Sequence, residues 1–329
     1  MRILVTGATG FVGRHLCLAL DRAGCSLRAA YIEATPPAGW PTAIEWMKCD
    51  SIGPGSDWSG LLGGGVTHVV HLAGLAHRIA SKDQVPDSMY DQVNHLATAQ
   101  LVKAVAATPS VRRFIFVSSI GAVTSASDWP VNEQTPCQPD SAYGRSKLAA
   151  ENAIQSILGS SVADWCIVRP PLLYGPGNPG NMARLLKLLE FPVPLPLASV
   201  HNRRSFLYVG NLVDAILRML THPGTARKTF CLGDGQDVST PDLIRKLGQA
   251  AGRPARLFPF PLIGLRLLGS GMGLLSSLTG RSFGLDLSCV EKFCSSLPVD
   301  SSHFCTTCAW TPPFTMDEGL RATVSRHSE

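Results

Sequence analysis

A glycine-rich turn near the beginning of the chain, between a short apolar run and a helical pattern, constrains the fold more than any other feature. Residues 3–6 read Ile-Leu-Val-Thr and lead directly into Gly-Ala-Thr-Gly-Phe-Val-Gly over residues 7–13. In this setting Gly7 permits a tight turn, Gly10 lets the backbone approach a pyrophosphate, and Gly13 allows close helix–strand packing. The N–H groups at the start of the following helix favour anions. We therefore predict an α/β fold whose first strand–turn–helix unit binds a dinucleotide.

Apolar runs of strand length recur along the chain with amphipathic stretches between them, a pattern typical of βαβ units in a parallel sheet. The predicted strands cover about 2–6, 27–32, 44–48, 66–72, 113–118 and 164–168. Gly24 follows the first helical stretch at the position where glycine commonly ends a helix. Right-handed crossovers between such strands build a Rossmann, doubly wound parallel sheet, which is the predicted fold class.

The composition of the sequence changes after residue 170. Proline and glycine cluster through 170–180 and again through 191–196. The later segments Ser205–Leu220 and Thr229–Gly233 are regular enough to return to the sheet. We therefore predict two interleaved domains. The boundaries are 1–170 for the Rossmann domain, with return segments at about 205–233, and 171–204 with 234–329 for a smaller C-terminal substrate domain.

Composition and charge exclude several classes of protein. Hydrophobic residues make up 45% of the 329 residues and charged residues 16%, which excludes a disordered or fibrous chain. The formal net charge of +5 is spread along the chain without a basic run, so no nucleic-acid partner is predicted. The ten cysteines are expected to be apolar thiols in a reducing cytoplasm. No metal site is predicted, because Cys305 and Cys308 form a single pair without a second one.

The segment from Leu257 to Leu275 is apolar and contains one charged residue, Arg266. Pro259, Pro261 and several glycines interrupt it, so it lacks the roughly 18 uninterrupted apolar residues that indicate a transmembrane helix. We expect a buried or lid-forming helix pair here. The alternative is a surface that touches a lipid-linked substrate or a bilayer.

Tyr143 and Lys147 open a helical run and lie four residues apart, so their side chains are expected on one helix face. The phenol of tyrosine has an ordinary pKa of about 10 and is a poor base near neutral pH. A lysine ammonium and an oxidised nicotinamide are both positive, and both stabilise the phenolate. A buried strand upstream ends in Ser118 and Ser119, at the carboxyl edge where such sheets bind ligands. These residues predict an acid/base centre on Tyr143.

These features and others resemble the extended short-chain dehydrogenase/reductases, and within them the nucleotide-sugar epimerases and dehydratases typified by UDP-galactose 4-epimerase. The resemblance covers essentially the whole chain. Its further motifs are His71-Leu72-Ala73-Gly74, Val93-Asn94, Arg169-Pro170-Pro171, Tyr174-Gly175-Pro176-Gly177, Asn202-Arg203-Arg204-Ser205-Phe206, Asn211-Leu212-Val213-Asp214 and Trp310-Thr311-Pro312-Pro313.

The resemblance implies roles for individual residues. Tyr143 is the catalytic acid/base, Lys147 lowers the pKa of Tyr143 and holds the nicotinamide ribose, and Ser119 orients the C4 oxygen of the substrate. The implied substrate-binding residues are Ser119, Tyr143, Asn181 and Arg204. The predicted cofactor-binding residues are Gly7, Thr9, Gly10, Phe11, Val12, Glu33, Asp50, Leu72, Ala73, Gly74, Asn94, Ser118, Tyr143, Lys147 and Pro170.

The choice of cofactor depends on the end of the second predicted strand, where a carboxylate binds the ribose of NAD. Tyr31 stands at the expected position, and Glu33 follows two residues later on the same strand face. NAD is the expected cofactor, with NADP left open.

By the same resemblance we expect a cytoplasmic 4-epimerase of a UDP-hexose or UDP-N-acetylhexosamine in surface polysaccharide biosynthesis. The alternative is an NADPH-dependent reductase of a UDP-4-keto-6-deoxy-N-acetylhexosamine. Leu172 departs from the family pattern, which has asparagine there. A homodimer is expected through helices at about 88–107 and 143–158.

Overall fold

The computed structural model describes residues 1–33, 39–49, 53, 55–76, 85–190, 194–279 and 287–325. Its strands are β1 (Arg2–Thr6), β2 (Ser26–Tyr31), β3 (Glu45–Lys48), β4 (His68–His71), β5 (Arg113–Val117), β6 (Asp164–Arg169), β7 (Leu172–Tyr174), β8 (Arg204–Tyr208), β9 (Lys228–Cys231) and β10 (Asp237–Val238). The α-helices are α1 (Phe11–Arg22), α2 (Ser59–Leu62), α3 (Asp87–Tyr90), α4 (Ala97–Ala106), α5 (Ala142–Leu158), α6 (Asn181–Leu189), α7 (Val209–Thr221), α8 (Thr240–Ala250), α9 (Leu262–Thr279), α10 (Leu287–Cys294), α11 (Ser302–Cys308) and α12 (Met316–Ser325). A π-helical turn covers Asp91–Leu96, and 3₁₀ turns cover Ile120–Ala122 and Pro223–Thr225.

Seven strands form one parallel sheet in the order β3-β2-β1-β4-β5-β6-β9. Every residue of β5 is buried, and two apolar clusters pack on opposite faces of the sheet. Helices α1 and α7 contribute to one cluster, and α4 and α5 to the other. Burial on both faces explains why these strands read as continuous apolar runs. The predicted fold class and the six predicted strands are confirmed, with strand ends shifted by one or two residues.

The turn between β1 and α1 requires glycine at two positions for different reasons. Gly7 has φ +68°, and a Cβ there would lie 2.7 Å from the backbone nitrogen of Ala73. A Cβ at Gly13 would lie 2.1 Å from the carbonyl oxygen of Gly7. At the other end of α1, Gly24 has φ +68°, and the N–H of Cys25 bonds the carbonyl of Leu20, which confirms the predicted helix end.

A second, three-stranded sheet has the order β10-β8-β7 and carries the smaller lobe. Helices α6, α8 and α12 pack over it around a third apolar cluster. The expectation that both later segments return to the large sheet is therefore wrong for Ser205–Leu220. Its strand β8 pairs with β7 and β10, whereas its helix α7 packs on the large sheet. Only β9, from the segment Thr229–Gly233, joins the large sheet, beside β6. The division into domains stays a prediction.

Of the two expected arrangements for the apolar segment at 257–275, a buried or a lid-forming helix pair, the buried one is wrong. Helices α9 and α10 do pack together, and Leu265 is buried. Ile263 and Leu267, however, are 72% and 68% exposed. Among the described residues no helix is long and apolar enough to cross a membrane.

We expect Gly13→Ala to lower the free energy of unfolding by about 2–3 kcal/mol, because the new methyl group would meet two backbone carbonyls that cannot rotate away. The control is Gly60→Ala in α2, where nothing lies within 4 Å of the added Cβ. Urea denaturation measures both. Equal stability of the two variants would contradict the packing described for Gly13.

Candidate active site

The ends of β1, β4 and β5 meet the beginning of α5 at the carboxyl edge of the large sheet. The hydroxyl of Ser141 accepts a hydrogen bond from the backbone N–H of Gly144 at 3.0 Å and so caps α5. A Cβ at Gly144 would lie 2.2 Å from the carbonyl oxygen of Gly121, so only glycine allows this approach. The close contact brings Tyr143 to Ser119, whose side chain hydrogen-bonds the phenol.

Desolvation raises the pKa of Tyr143, and the nearby phenol of Tyr90 acts in the same direction. The hydrogen bond from Ser119 opposes this effect by stabilising the phenolate. The two tyrosine rings make an edge-to-face contact at 6.3 Å between centroids. Tyr143 therefore needs a positive charge beside it before it can lose a proton near neutral pH.

Lys147 is the positive group nearest in sequence on the same helix face, and its side chain is buried. Its Nζ donates to the carbonyl oxygen of Val117 at 3.0 Å and lies 4.6 Å from the ring centroid of Phe116. Burial lowers the pKa of Lys147 to about 8, although the charge of Glu151 acts to raise it. The ammonium of Lys147 is thus protonated at neutral pH, although its pKa lies close to that pH.

A buried ion pair behind Lys147 was not predicted from the sequence. The carboxylate of Glu151 accepts from Arg169 Nη2 at 2.6 Å and from Arg169 Nε at 3.1 Å, and the hydroxyl of Ser118 also donates to it. Glu151 is 1% exposed. Burial acts to lower the pKa of Arg169, but its contact with Glu151 raises that pKa overall. The i, i+4 spacing in the sequence places Glu151 on the same helix face as Lys147, but it does not identify Arg169 as the partner of Glu151.

His71 is a structural residue in a directional chain of hydrogen bonds. The hydroxyl of Thr98 donates to the carbonyl of Asn94 at 2.7 Å, so it must accept from His71 Nε2 at 2.9 Å. The other ring nitrogen, Nδ1, then accepts from the hydroxyl of Thr6 at 2.6 Å, and that hydroxyl accepts from the N–H of Ala73. Burial, with the charge of Lys147, lowers the pKa of His71 to about 3. The ring is neutral and ties β1, β4 and α4 together.

Asn94 holds the loop after β4 against α5. Its Oδ1 accepts from the N–H of Leu75 at 2.7 Å, and its Nδ2 donates to Leu75 O and to Ser146 Oγ, each at 3.0 Å. A Cβ at Gly74 would lie 2.9 Å from Asn94 Oδ1 and 3.4 Å from Lys147 Nζ. Three predicted cofactor-site residues are therefore in one place. The π-helical turn at 91–96 is the element that points Asn94 inward.

Glu33 lies beside the glycine turn, as the sequence predicts for a residue of the cofactor site. Partial burial acts to raise its pKa, but hydrogen bonds from Thr9 and from its own backbone, together with Arg14, lower that pKa overall. Tyr31 instead packs edge-to-face on Trp46 at 6.0 Å. Asp50 lies outside the described residues.

The other predicted cofactor residues surround the same edge. Phe11 is the first residue of α1, and its ring makes an edge-to-face contact with His15 at 5.6 Å between centroids. Val12 is partly buried and packs against the core. Leu72 is partly buried, and the carbonyl of Pro170 accepts from Ile120 N at 2.9 Å. The site residues are thus concentrated around the ends of β1, β4, β5 and β6.

The turn also fits a phosphate group. Among the described residues, the only atom within 4 Å of a Cβ built at Gly10 is the carbonyl oxygen of Gly7, at 3.2 Å. Gly10 therefore leaves backbone open at the N-terminus of the 12-residue helix α1, where N–H groups favour anions. No group of three or more His, Cys, Asp or Glu in the described part of the chain could hold a metal ion.

Asn181 and Arg204, the predicted diphosphate ligands, lie in the smaller lobe. Asn181 is the first residue of α6. The Nη1 of Arg204 donates to the carbonyls of Lys292 and Ser295 at the end of α10, at 2.8 and 3.1 Å. A contact from Arg204 to a diphosphate would have to come from its other N–H groups. Both roles stay predictions.

Comparison with known proteins agrees with this geometry. Residues 3–233 match the model of the NAD dependent epimerase/dehydratase family. The chain is similar to a UDP-glucose 4-epimerase of Vibrio cholerae, with 33% identity over 98% of this chain and 94% of that protein. It is also similar to an N-acetyl-α-D-glucosaminyl-diphospho-ditrans,octacis-undecaprenol 4-epimerase of Escherichia coli O157:H7, with 27% identity over 98% and 94%. A UDP-glucuronic acid 4-epimerase of Bacillus cereus, solved in complex with NAD, shares the fold at TM-score 0.75 and 20% identity, over 100% of this chain and 99% of that one.

We expect Glu151→Gln to lower the free energy of unfolding by about 3–5 kcal/mol, because it leaves the buried guanidinium of Arg169 without a counter-charge. The control is Glu190→Gln, which removes an exposed carboxylate 3.8 Å from Arg253. Chemical denaturation at neutral pH measures both. A Glu151→Gln variant as stable as its control would show that the ion pair contributes nothing to the fold.

The lowered pKa of His71 predicts that the free energy of unfolding falls as the pH is lowered. Its folded pKa of about 3 lies below the ordinary value of 6.5, so the unfolded chain takes up a proton first as the pH falls. This stabilisation is present above pH 6.5 and is lost between pH 6.5 and 3, by at most about 1.4 kcal/mol per pH unit. The difference in stability between wild type and His71→Gln should shrink over that range. With the exposed His201→Gln as control, a difference independent of pH would contradict a neutral His71.

Proposed function

The chain belongs to the NAD dependent epimerase/dehydratase family, and we propose that it is a nucleotide-sugar 4-epimerase that uses bound NAD. The proposed substrate is a UDP-hexose or a UDP-N-acetylhexosamine. The observation that carries the proposal is the hydrogen-bonded pair of Ser119 and Tyr143, with the Lys147 ammonium buried on the same helix face. The V. cholerae UDP-glucose 4-epimerase, similar over nearly the full length of both chains, supports the same reaction.

The residues at the glycine turn support NAD over NADP. Because its pKa is lowered, Glu33 is ionised at neutral pH, and its side chain is hydrogen-bonded to Thr9 at the phosphate-binding turn. A carboxylate at this place can accept from a ribose hydroxyl and would repel a 2′-phosphate. Because the ring of Tyr31 packs on Trp46, we propose that Glu33, and not Tyr31, contacts the ribose.

When bound, NAD supplies a hydride acceptor for C4 of the sugar, and its reduced form a donor. The phenolate of Tyr143 takes the proton of the 4-hydroxyl as that carbon is oxidised, and returns it after the keto sugar has turned over. Once the sugar is bound, the single hydroxyl proton of Ser119 would be donated to the reacting oxygen instead of to the phenol, which holds that oxygen next to Tyr143. Burial disfavours the phenolate, and we propose that the positive charge of Lys147, on the same helix face, favours it. The proposed diphosphate ligands are Asn181 and Arg204.

The alternative function, a reductase of a 4-keto sugar, requires the same acid/base group and an external supply of NADPH. The ionised Glu33 beside Thr9 disfavours NADPH for the reason given above. The two functions differ in their net use of cofactor. An epimerase regenerates its bound NAD in every cycle, whereas a reductase consumes NADPH.

We further propose the pathway and the compartment in which the enzyme acts, and its oligomeric state. The E. coli relative, by its name, acts on an N-acetylglucosaminyl diphosphate joined to undecaprenol, which supports a role in surface polysaccharide biosynthesis. The buried thiols of Cys17 and Cys166, whose pKa values burial raises to about 12, support a reducing cytoplasm. Side-by-side packing of α4 and α5, with Leu96 exposed at 38%, supports a homodimer through this helix pair.

We expect the purified protein to interconvert UDP-glucose with UDP-galactose, or their N-acetylamino counterparts, without added cofactor. Tyr143→Phe removes the proton acceptor and should lower kcat by at least about a hundredfold. The matched control is Tyr208→Phe, a tyrosine of the smaller lobe outside the proposed site. Stoichiometric consumption of NADPH on a 4-keto sugar, with no interconversion of UDP-sugars, would instead establish the reductase.

A further inference from the structure

Helix α9 exposes several apolar side chains that the proposed reaction does not use. Ile263 and Leu267 are 72% and 68% exposed and lie four residues apart, on one helix face. Leu262 and Leu268 flank them, and Phe258 lies exposed just before the helix. Single exposed apolar residues are ordinary on a protein surface, but five of them within the eleven residues 258–268 indicate an interaction site.

The first turns of α9 pack against the protein through the side that carries Leu265, which determines the orientation of this part of the helix. Leu265 is 3% exposed, in a cluster with Val200 and Val290. The ring of Phe260 covers Gly264, where an added Cβ would lie 2.7 Å from it. On the exposed side, between Leu262 and Ile263 around the helix, Arg266 Nε lies 2.9 Å from an oxygen of Glu291 on α10. The apolar residues therefore face outward because the side that carries Leu265 is held in place.

Charge identifies the class of partner. Arg253, Arg256 and Arg266 are exposed within or just before the helix. Arg253 lies 3.8 Å from Glu190 and Arg266 pairs with Glu291, whereas among the residues that the structure describes no ion pair involves Arg256. Leucine and isoleucine on one helix face with arginine at its edge match a bilayer interface that contains anionic lipid. A second copy is a poorer match, because a two-fold interface would place each arginine-rich segment against its own copy.

We propose that this α9 face, formed by Phe258, Leu262, Ile263, Leu267 and Leu268, is a docking surface for the interfacial layer of an anionic membrane. The helix would lie along the bilayer surface with these side chains among the headgroups, and Arg256 would contact lipid phosphates. The enzyme would then work at a membrane face while the acid/base site stays in water.

The test is co-sedimentation with vesicles of phosphatidylcholine, alone or mixed with an equal amount of phosphatidylglycerol. The full chain should bind the mixed vesicles more tightly, and added salt should weaken binding. A double variant, Ile263→Ser with Leu267→Ser, should weaken that binding by at least about tenfold, because two exposed apolar side chains no longer insert. Arg256→Glu should remove the preference for phosphatidylglycerol.

The control is Val162→Ser, an apolar residue 70% exposed in the loop after α5. Failure of the wild type to bind mixed vesicles, or equal binding by the double variant, would overturn the proposal. Light scattering without lipid measures whether the protein associates with itself. If the double variant loses a self-association that the control keeps, the α9 face is a contact between copies and the proposal is wrong. None of these results depends on epimerase activity, so they are independent of the proposed reaction.

Discussion

The buried ammonium of Lys147 is the constraint on which the rest of the site depends. A positive charge in the interior is unfavourable unless nearby groups compensate it. Here the carbonyl of Val117, the ring face of Phe116 and the carboxylate of Glu151 do so, and the pKa still falls to about 8. The neutral ring of His71, stacked on Phe116, adds no second positive charge. The protein thus keeps one positive charge on the helix face that carries its tyrosine.

The same compensation connects the site to the smaller lobe. Glu151 pairs with Arg169, the last residue of β6, and the chain leaves the large sheet at the next residue, Pro170. The carbonyl of Pro170 accepts from Ile120 in the turn that follows Ser119. The ion pair behind Lys147 therefore also positions the exit of the chain toward the smaller lobe and the turn that carries Ser119. Loss of this pair would disturb both Lys147 and the smaller lobe.

Local patterns allowed the strands, the glycine turn and the positions of Tyr143 and Lys147 to be predicted, because each depends on residues close in sequence. The pairing of Glu151 with Arg169 could not be predicted, because it joins a helix to the end of the next strand across the fold. Strand β8 was assigned to the wrong sheet because its apolar pattern does not encode its partner. For the segment at 257–275 the sequence left a buried helix pair and an exposed surface both open, because apolar content does not identify which side of a helix has no partner.

The reaction is tested most directly by following the hydrogen on C4. UDP-glucose carrying deuterium at C4 is converted by the purified protein without added cofactor, and the UDP-galactose formed is examined by mass spectrometry. If the hydrogen leaves and returns within one bound complex, as proposed for the site of Tyr143, Ser119 and Lys147, the product keeps its deuterium at C4. Loss of the deuterium, or no conversion of UDP-glucose together with NADPH-dependent reduction of a 4-keto sugar, would contradict the proposed epimerase.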